Sequence, residues 1–237
     1  MPASPATPAI PAVQAPPAGQ GPAGRGLLIA VEGTGGAGKS TLARRLASWL
    51  EGAGHPVVAI HEPGATGLGA QLRRLLLGRA PEPVPWAEAF LFAADRAQTY
   101  AELVVPALRA GKVVVSDRSL YSTIAYQVYG RGLDLDLVDA LNRAATGGVS
   151  PDLVFVLDLD PLVGLHRKHG QHAEDRFDEE GLAFQQRVRD GYLFAARRDA
   201  GRACVLDAAR PPEALFEQAR EVVAARLAHR ARQPANV

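Results

Sequence analysis

Most of what this chain can fold into is set by Gly33-Thr34-Gly35-Gly36-Ala37-Gly38-Lys39-Ser40, which fits G-x-x-x-x-G-K-[ST] and is followed at once by Thr41. Before it, Leu27-Leu28-Ile29-Ala30-Val31 is short, apolar and rich in β-formers, as a buried strand is. After it, Leu42, Leu46, Trp49 and Leu50 recur at helical spacing. The motif therefore has the strand-loop-helix setting that it needs. Glycines at these positions let successive backbone N–H groups turn toward one anion, and the helix N-terminus adds its partial positive charge. Lys39 can then reach the β and γ phosphates of a nucleoside triphosphate, and the Ser40 hydroxyl can hold a magnesium ion. A glycine-rich turn that binds nothing is the bland alternative, and eight matched positions between a strand and a helix argue against it.

The alternation continues down the chain. Val57-Val58-Ala59-Ile60 reads as a second strand that ends at His61-Glu62-Pro63-Gly64. Parallel strands joined by helices place ligands at their carboxyl ends, so Glu62 sits on the rim of the phosphate loop or is simply a solvated loop carboxylate. Leu68 to Leu77 is helical and carries Arg73 and Arg74, either of which can face the cleft or the solvent. Pro85-Trp86 opens a long helix to about Leu108. Within it Glu88, Phe92, Asp95, Arg96 and Thr99 lie three or four apart and share a face, for which core packing and surface charge are the ordinary uses.

Val113-Val114-Val115-Ser116 runs into Asp117 and Arg118. A buried strand that delivers a carboxylate to the rim is how magnesium-holding aspartates are presented, and the neighbouring guanidinium offers a planar fork for phosphate oxygens. The other use of Asp117 is to cap the helix after it. Leu153 to Asp158 is a fourth strand, and Asp160-Pro161 after it looks like a cap with a first-turn proline. His166 to Arg176 is polar and cationic. Its three histidines invite a zinc reading, against which stand the intervening cations and the lack of cysteine or carboxylate at ligand spacing. A lid over about 166–181 that carries Arg167 or Arg176 toward a nucleotide suits the segment better. Phe177 to Arg198 reads as helix, Ala203-Cys204-Val205-Leu206-Asp207 as a last strand, and 211 to about 229 as a final helix. The sum is a doubly wound α/β domain of the P-loop NTPase type, a five-stranded parallel sheet with helices on both faces and a short lid.

Composition bounds the partners and the extent of the domain. The chain has 237 residues, and 26 Lys and Arg against 25 Asp and Glu leave a net charge of +1. That balance argues against a long nucleic acid or an anionic membrane held by bulk charge. No run of about 18 apolar residues exists to span a bilayer. The lone cysteine, Cys204, stands in an apolar segment where a buried strand residue is expected, and a chain without an internal disulfide fits the cytoplasm. Met1 to Gly24 holds seven prolines, seven alanines and no charge, which can neither nucleate a helix nor bury a core. The expected division is a disordered extension over 1–25, one domain over 26–232 and a tail over 233–237.

Laid end to end, these segments resemble the bacterial thymidylate kinase family, which makes dTDP from dTMP and ATP. The resemblance spans about Gly26 to Arg230. It rests on Glu32-Gly33 through Thr41, Glu62-Pro63-Gly64, Leu91-Phe92-Ala93-Ala94-Asp95-Arg96, Asp117-Arg118, Ala125-Tyr126-Gln127, Gly130-Arg131-Gly132-Leu133, Pro151-Asp152-Leu153 and Asp175-Arg176-Phe177, in that order. It implies ATP as donor on residues 33–41, with magnesium held by Ser40 and Asp117. It also implies an acceptor pocket in which Glu62 and Pro63 form the turn, Phe92 stacks on thymine and Arg96 bonds a base oxygen. Thr123 and Gln127 would lie near the base edge, and Tyr126 would pack where a 2′-hydroxyl would need room. Arg73 and Arg118 would hold the acceptor phosphate. Lys39, Asp117, Arg118 and the lid's Arg176 would form the catalytic set, in a cytoplasmic homodimer.

Three positions depart from the family pattern. Gly35 stands where a carboxylate is common, His61 where an arginine precedes the Glu-Pro-Gly turn, and Ser119 where an aromatic residue usually follows Asp-Arg. They keep open a kinase for another nucleotide or nucleoside, or a nucleotide-binding relative with little activity. A GTP-dependent switch would need an Asn/Thr-Lys-x-Asp motif, and none of Lys39, Lys112 and Lys168 sits in one.

Overall fold

The computed structural model describes residues 25–78, 82–168, 176–177 and 179–232. The expected disordered extension, apart from Arg25, lies outside the described residues, as do 169–175 of the expected lid and the 233–237 tail.

Five strands form one parallel sheet in the order β2-β3-β1-β4-β5: β1 (Leu27–Gly33), β2 (Val57–His61), β3 (Val113–Asp117), β4 (Leu153–Asp158) and β5 (Ala203–Asp207). β1 lies at the centre and every one of its residues is buried, which is why it reads as a continuous apolar run rather than an alternating one. Leu27, Ile29 and Val31 face α1 (Lys39–Gly52) and α9 (Pro212–Arg232), while Leu28 and Ala30 face the helices of the opposite layer. Cys204 is buried in β5, where burial pushes its thiol up to about 11. Register sets the functional rim: Val31 pairs with Asp117, His61 with Asp117, and Gly33 with Leu157. Four separate strands thus end at one edge.

The remaining helices are α2 (Gly67–Leu77), α3 (Pro85–Thr99), α4 (Val105–Arg109), α5 (Leu120–Thr123), α6 (Leu135–Thr146), α7 (Pro161–Lys168) and α8 (Leu182–Arg198). The expected long helix from Pro85 is continuous through α3 and α4, with a π-type stretch over Tyr100–Val104 just before Pro106. Proline supplies no backbone donor, and the wider turns accommodate it. A second π-type stretch, Ile124–Gly130, follows α5 directly. At α7 the Leu162 N–H donates to Asp160 Oδ1 at 2.9 Å, the cap expected from Asp160-Pro161. The strand-end Asp158 is instead held by Arg189 at 2.6 and 2.9 Å. α8 begins at Leu182, five residues later than the sequence suggests, because Arg176 and Phe177 pack into the pocket described next.

Candidate active site

The phosphate loop leaves β1 at Gly33 and enters α1 at Lys39. Gly33, Gly36 and Gly38 all have left-handed backbone, with φ of 140°, 72° and 92°. At Gly36 a β-carbon would lie 2.3 Å from the Gly164 carbonyl oxygen, so close approach as well as torsion requires glycine there. Lys39 is buried and donates from Nζ to the Thr34 carbonyl at 2.7 Å, which curls its ammonium back over the loop. Burial, reinforced by the nearby Arg118 cation, brings its pKa down to about 7. Thr34 Oγ1 is buried without a partner. Ser40 and Thr41 open α1 on its exposed side.

Asp117 at the end of β3 accepts from Ser40 Oγ at 2.5 Å. A hydroxyl and a carboxylate aimed at one point are hard oxygen donors of the kind magnesium takes, alongside phosphate oxygens and water. Among the described residues there is no group of three or more His, Cys, Asp or Glu that could hold a metal ion.

Arg118 adopts φ 75°, the one non-glycine residue among those described with positive φ. Its backbone N–H donates to Val31 O at 2.9 Å, and its Nη1 to the Tyr192 hydroxyl at 2.8 Å. The guanidinium carbon stands 5.4 Å from the centre of the Tyr126 ring. Tyr126 packs edge-on to Phe177 at 5.2 Å, and Phe177 lies 6.2 Å from Phe92. These rings wall a pocket whose polar floor is Arg96. Its Nε donates to Glu62 Oε2 at 2.8 Å, its Nη1 to Thr123 Oγ1 at 2.7 Å and Asn142 Oδ1 at 2.8 Å, and its Nη2 to Ser119 O at 3.0 Å. Burial raises the Glu62 carboxyl to about 7, against the pull of Arg96, and its Oε1 has no partner. The Glu62–Pro63 bond is cis, and Arg73 donates to Pro63 O at 2.7 Å. Asp95 accepts from the Gly64 N–H at 2.9 Å and so holds the same turn from below. Phe92, Arg96, Arg118, Thr123, Tyr126 and the Glu62–Pro63 turn are thereby brought together.

Arg176 is not brought to the phosphate loop, contrary to the expectation of a lid cation over the donor. Its Nε donates to Leu76 O at 2.5 Å and its Nη2 to Glu88 Oε2 at 2.7 Å, and its guanidinium lies over the Phe177 ring. The physical reason is Glu88. It is fully buried, and a buried carboxylate requires cations and donors around it. Gln127 Nε2 at 2.7 Å and Arg131 supply the others. Arg176 therefore belongs to the wall of the aromatic pocket.

Several residues of this site escaped the sequence reading. Glu32 and Glu88 are carboxylates inside apolar surroundings, a signal visible in Leu27-Leu28-Ile29-Ala30-Val31-Glu32 but not given a role. Ser122, Asn142 and Tyr192 have no local signal. Lys168 closes the space over Gly35: a β-carbon there would meet Lys168 Cδ at 3.2 Å and Nζ at 3.3 Å.

A loop shaped for a polyphosphate, facing an aromatic pocket with its own arginines across the rim of a parallel sheet, defines a phosphoryl-transfer enzyme of the P-loop kinase class. The thymidylate kinase family model matches residues 31–219. A thymidylate kinase of Desulfovibrio desulfuricans is 45% identical over 214 residues, covering 87% of this chain and 99% of the relative. One of Gloeobacter violaceus is 48% identical over 199 residues, covering 83% and 94%. The crystal structure of thymidylate kinase from Ehrlichia chaffeensis superposes with a TM-score of 0.70 at 29% identity, covering 84% of this chain and 99% of that one. The chain belongs to the thymidylate kinase family.

Proposed function

We propose that this chain transfers the γ-phosphoryl group of ATP to dTMP, giving dTDP, with the donor on residues 33–41 and the acceptor in the Phe92–Tyr126 pocket. The observation that carries the reading is the juxtaposition of two anion sites, Lys39 over the loop and Arg118 beside Tyr126, joined by the Ser40–Asp117 bond. A nucleoside monophosphate is largely ionised at neutral pH, with a second pKa near ~6, so it needs no strong general base. The barrier is repulsion between polyanions, about 4 kcal/mol per pair of unit charges 4 Å apart at an effective dielectric of 20. Lys39 and the loop amides meet the donor charge and Arg118 and Arg73 the acceptor charge, so catalysis is positioning plus charge neutralisation.

Ser40 and Asp117 would hold a magnesium ion, whose chemistry there is to draw charge from the donor phosphates. Phe92 stacks on the base, Thr123, Gln127 and Arg96 line its polar edge, and Tyr126 fills the space beside the sugar. Arg96 brings an already well-bonded guanidinium to that edge, which favours a rigid reader of the base over a mobile one. Exposed Phe90 and Leu137, on the neighbouring helices α3 and α6, support association with a second copy. No helix among the described residues is long and apolar enough to cross a membrane, and the buried single thiol suits the cytoplasm.

The test is product formation from purified protein with ATP, magnesium and a panel of monophosphates. The expected result is dTDP as the preferred product and its loss in Lys39→Ala. A folded protein that phosphorylates another monophosphate far better than dTMP, or none, would overturn the assignment.

A further inference from the structure

Glu32 is a fully buried carboxylate, one residue ahead of the phosphate loop, and the transfer chemistry above makes no use of it. Its Oε1 accepts the backbone N–H groups of Ser119, Tyr121 and Ser122 at 2.8, 3.1 and 3.3 Å. Its Oε2 accepts the Ser122 hydroxyl at 2.6 Å. Because that hydroxyl spends its proton on Glu32, the 2.8 Å bond between Ser122 Oγ and Tyr192 must be donated by the tyrosine. The Tyr192 oxygen in turn accepts from Arg118 Nη1 at 2.8 Å. Arg118 Nη1 also donates directly to Ser122 Oγ at 3.3 Å, so the donors run one way, from Arg118 to Ser122 both directly and through Tyr192 and from Ser122 to Glu32, the only group of the four that purely accepts. The same carboxylate gathers the backbone immediately after Arg118, whose positive φ is a conformation that a non-glycine residue keeps only when its surroundings impose it.

We propose that Glu32 is the positioning residue for Arg118: it fixes both the backbone and the guanidinium of the acceptor-side arginine relative to the loop that holds the donor. The proposal rests on the reading of Arg118 as the acceptor-phosphate ligand. Glu32 itself touches no reacting atom. Being covalently adjacent to Gly33, it makes the donor loop and the acceptor arginine one rigid unit, and a small misplacement between such partners is amplified in the rate.

Glu32→Gln keeps shape but puts an NH2 where either three N–H groups or a hydroxyl must be accepted. Ser122→Ala removes the hydroxyl that joins Glu32 to Tyr192 and to Arg118 Nη1, and leaves the backbone bonds to Glu32 intact. Steady-state kinetics of the full chain with dTMP and ATP as variable substrates reads the outcome. The expected result for Glu32→Gln is a KM for dTMP raised about tenfold with kcat also lowered, while the KM for ATP stays within about twofold. Ser122→Ala should shift the same parameters in the same direction, and the double variant should be little worse than Glu32→Gln alone. Parental dTMP kinetics in both single variants overturns the proposal. So does equal damage to dTMP and ATP parameters accompanied by a lowered melting temperature, which marks a merely structural carboxylate. Should Glu32→Gln fail to fold, Ser122→Ala decides alone. Arg118→Ala is measured beside them: if it binds dTMP as the parent does, the assignment of Arg118 fails first, whereas a damaged Arg118→Ala with intact Glu32→Gln and Ser122→Ala refutes only the positioning role.

Discussion

Ser40 Oγ donates to Asp117 Oδ2 at 2.5 Å although the two residues are 77 apart in sequence. The bond joins the first turn of α1 to the end of β3, at the mouth of the phosphate loop. Asp117→Asn keeps the size but removes the negative charge that the pair offers a cation. If the pair holds magnesium, the loss should lower kcat by about 10²-fold, equivalent to about 3 kcal/mol, and raise the magnesium concentration needed for half-maximal rate. Rate measured against magnesium at fixed nucleotide checks this. An unchanged magnesium requirement in a folded Asp117→Asn protein would show that the bond is only a clasp between strand and helix.

Lys39 carries the pH prediction. Burial and the Arg118 cation bring its pKa from 10.5 to about 7, so in the free protein it loses its proton as pH rises through neutrality. An arriving polyphosphate favours the charged form and restores the proton. Binding should therefore take up a proton above pH 7, and affinity should fall between pH 7 and 9, by at most about tenfold per pH unit for one group. Calorimetry with ADP and EDTA, in two buffers of different ionisation enthalpy, measures the uptake without a metal. Lys39→Arg, charged throughout, should flatten the profile. A parent protein that binds ADP equally at pH 7 and 9 contradicts the reading.

The strands and the loop were legible because each leaves a local mark. β1, β3 and β4 are buried on both faces and so are unbroken apolar runs, and the loop needs glycine at fixed positions. The stretch from Leu120 to Gly130 left no such mark. Apart from Leu120, Ser122, Val128 and Tyr129 it is buried on every side, so it shows no polar face, and its Tyr, Thr and Ile residues are mediocre helix formers. Packing against α8 overrides that weak preference, through Gly191, where a β-carbon would lie 2.7 Å from Ala125 Cα. The place of Asp117 on the rim could be anticipated from strand position alone. That of Arg176 could not, because the carboxylate that claims it, Glu88, stands 88 residues earlier and on another element.

Arg96 offers a stability test. Its guanidinium is buried and bonded to Glu62, Thr123, Asn142 and the Ser119 carbonyl. Arg96→Leu fills the space but leaves the Glu62 carboxylate buried and unpaired, a loss of about 3–5 kcal/mol for breaking one side of such a pair. For a domain of this size the melting temperature should drop by roughly 10 °C. Glu62→Gln combined with Arg96→Leu removes the stranded charge and should recover part of the loss. Equal destabilisation by the single and double variants would mean that the hydrogen bonds to Thr123 and Asn142, and not the ion pair, dominate.

Arg176 separates two roles that the same residue could play in such an enzyme. A cation that stabilises transferred charge acts only in the transition state, so its loss lowers kcat and leaves substrate binding nearly untouched. The contacts of Arg176 are of another kind. It shares buried Glu88 with Gln127 and Arg131, and its guanidinium lies 4.3 Å over the Phe177 ring that packs against Phe92 and Tyr126. Removing it should loosen the acceptor wall: Arg176→Ala is expected to raise the KM for dTMP about five- to tenfold, to leave the KM for ATP within about twofold, and to lower kcat by less than about tenfold. Gln127→Ala should push the same parameter in the same direction, because both residues meet at Glu88. A fall in kcat of several orders of magnitude at unchanged KM for dTMP would return Arg176 to the phosphoryl-transfer step, and would require the guanidinium to leave Glu88 when both nucleotides are bound.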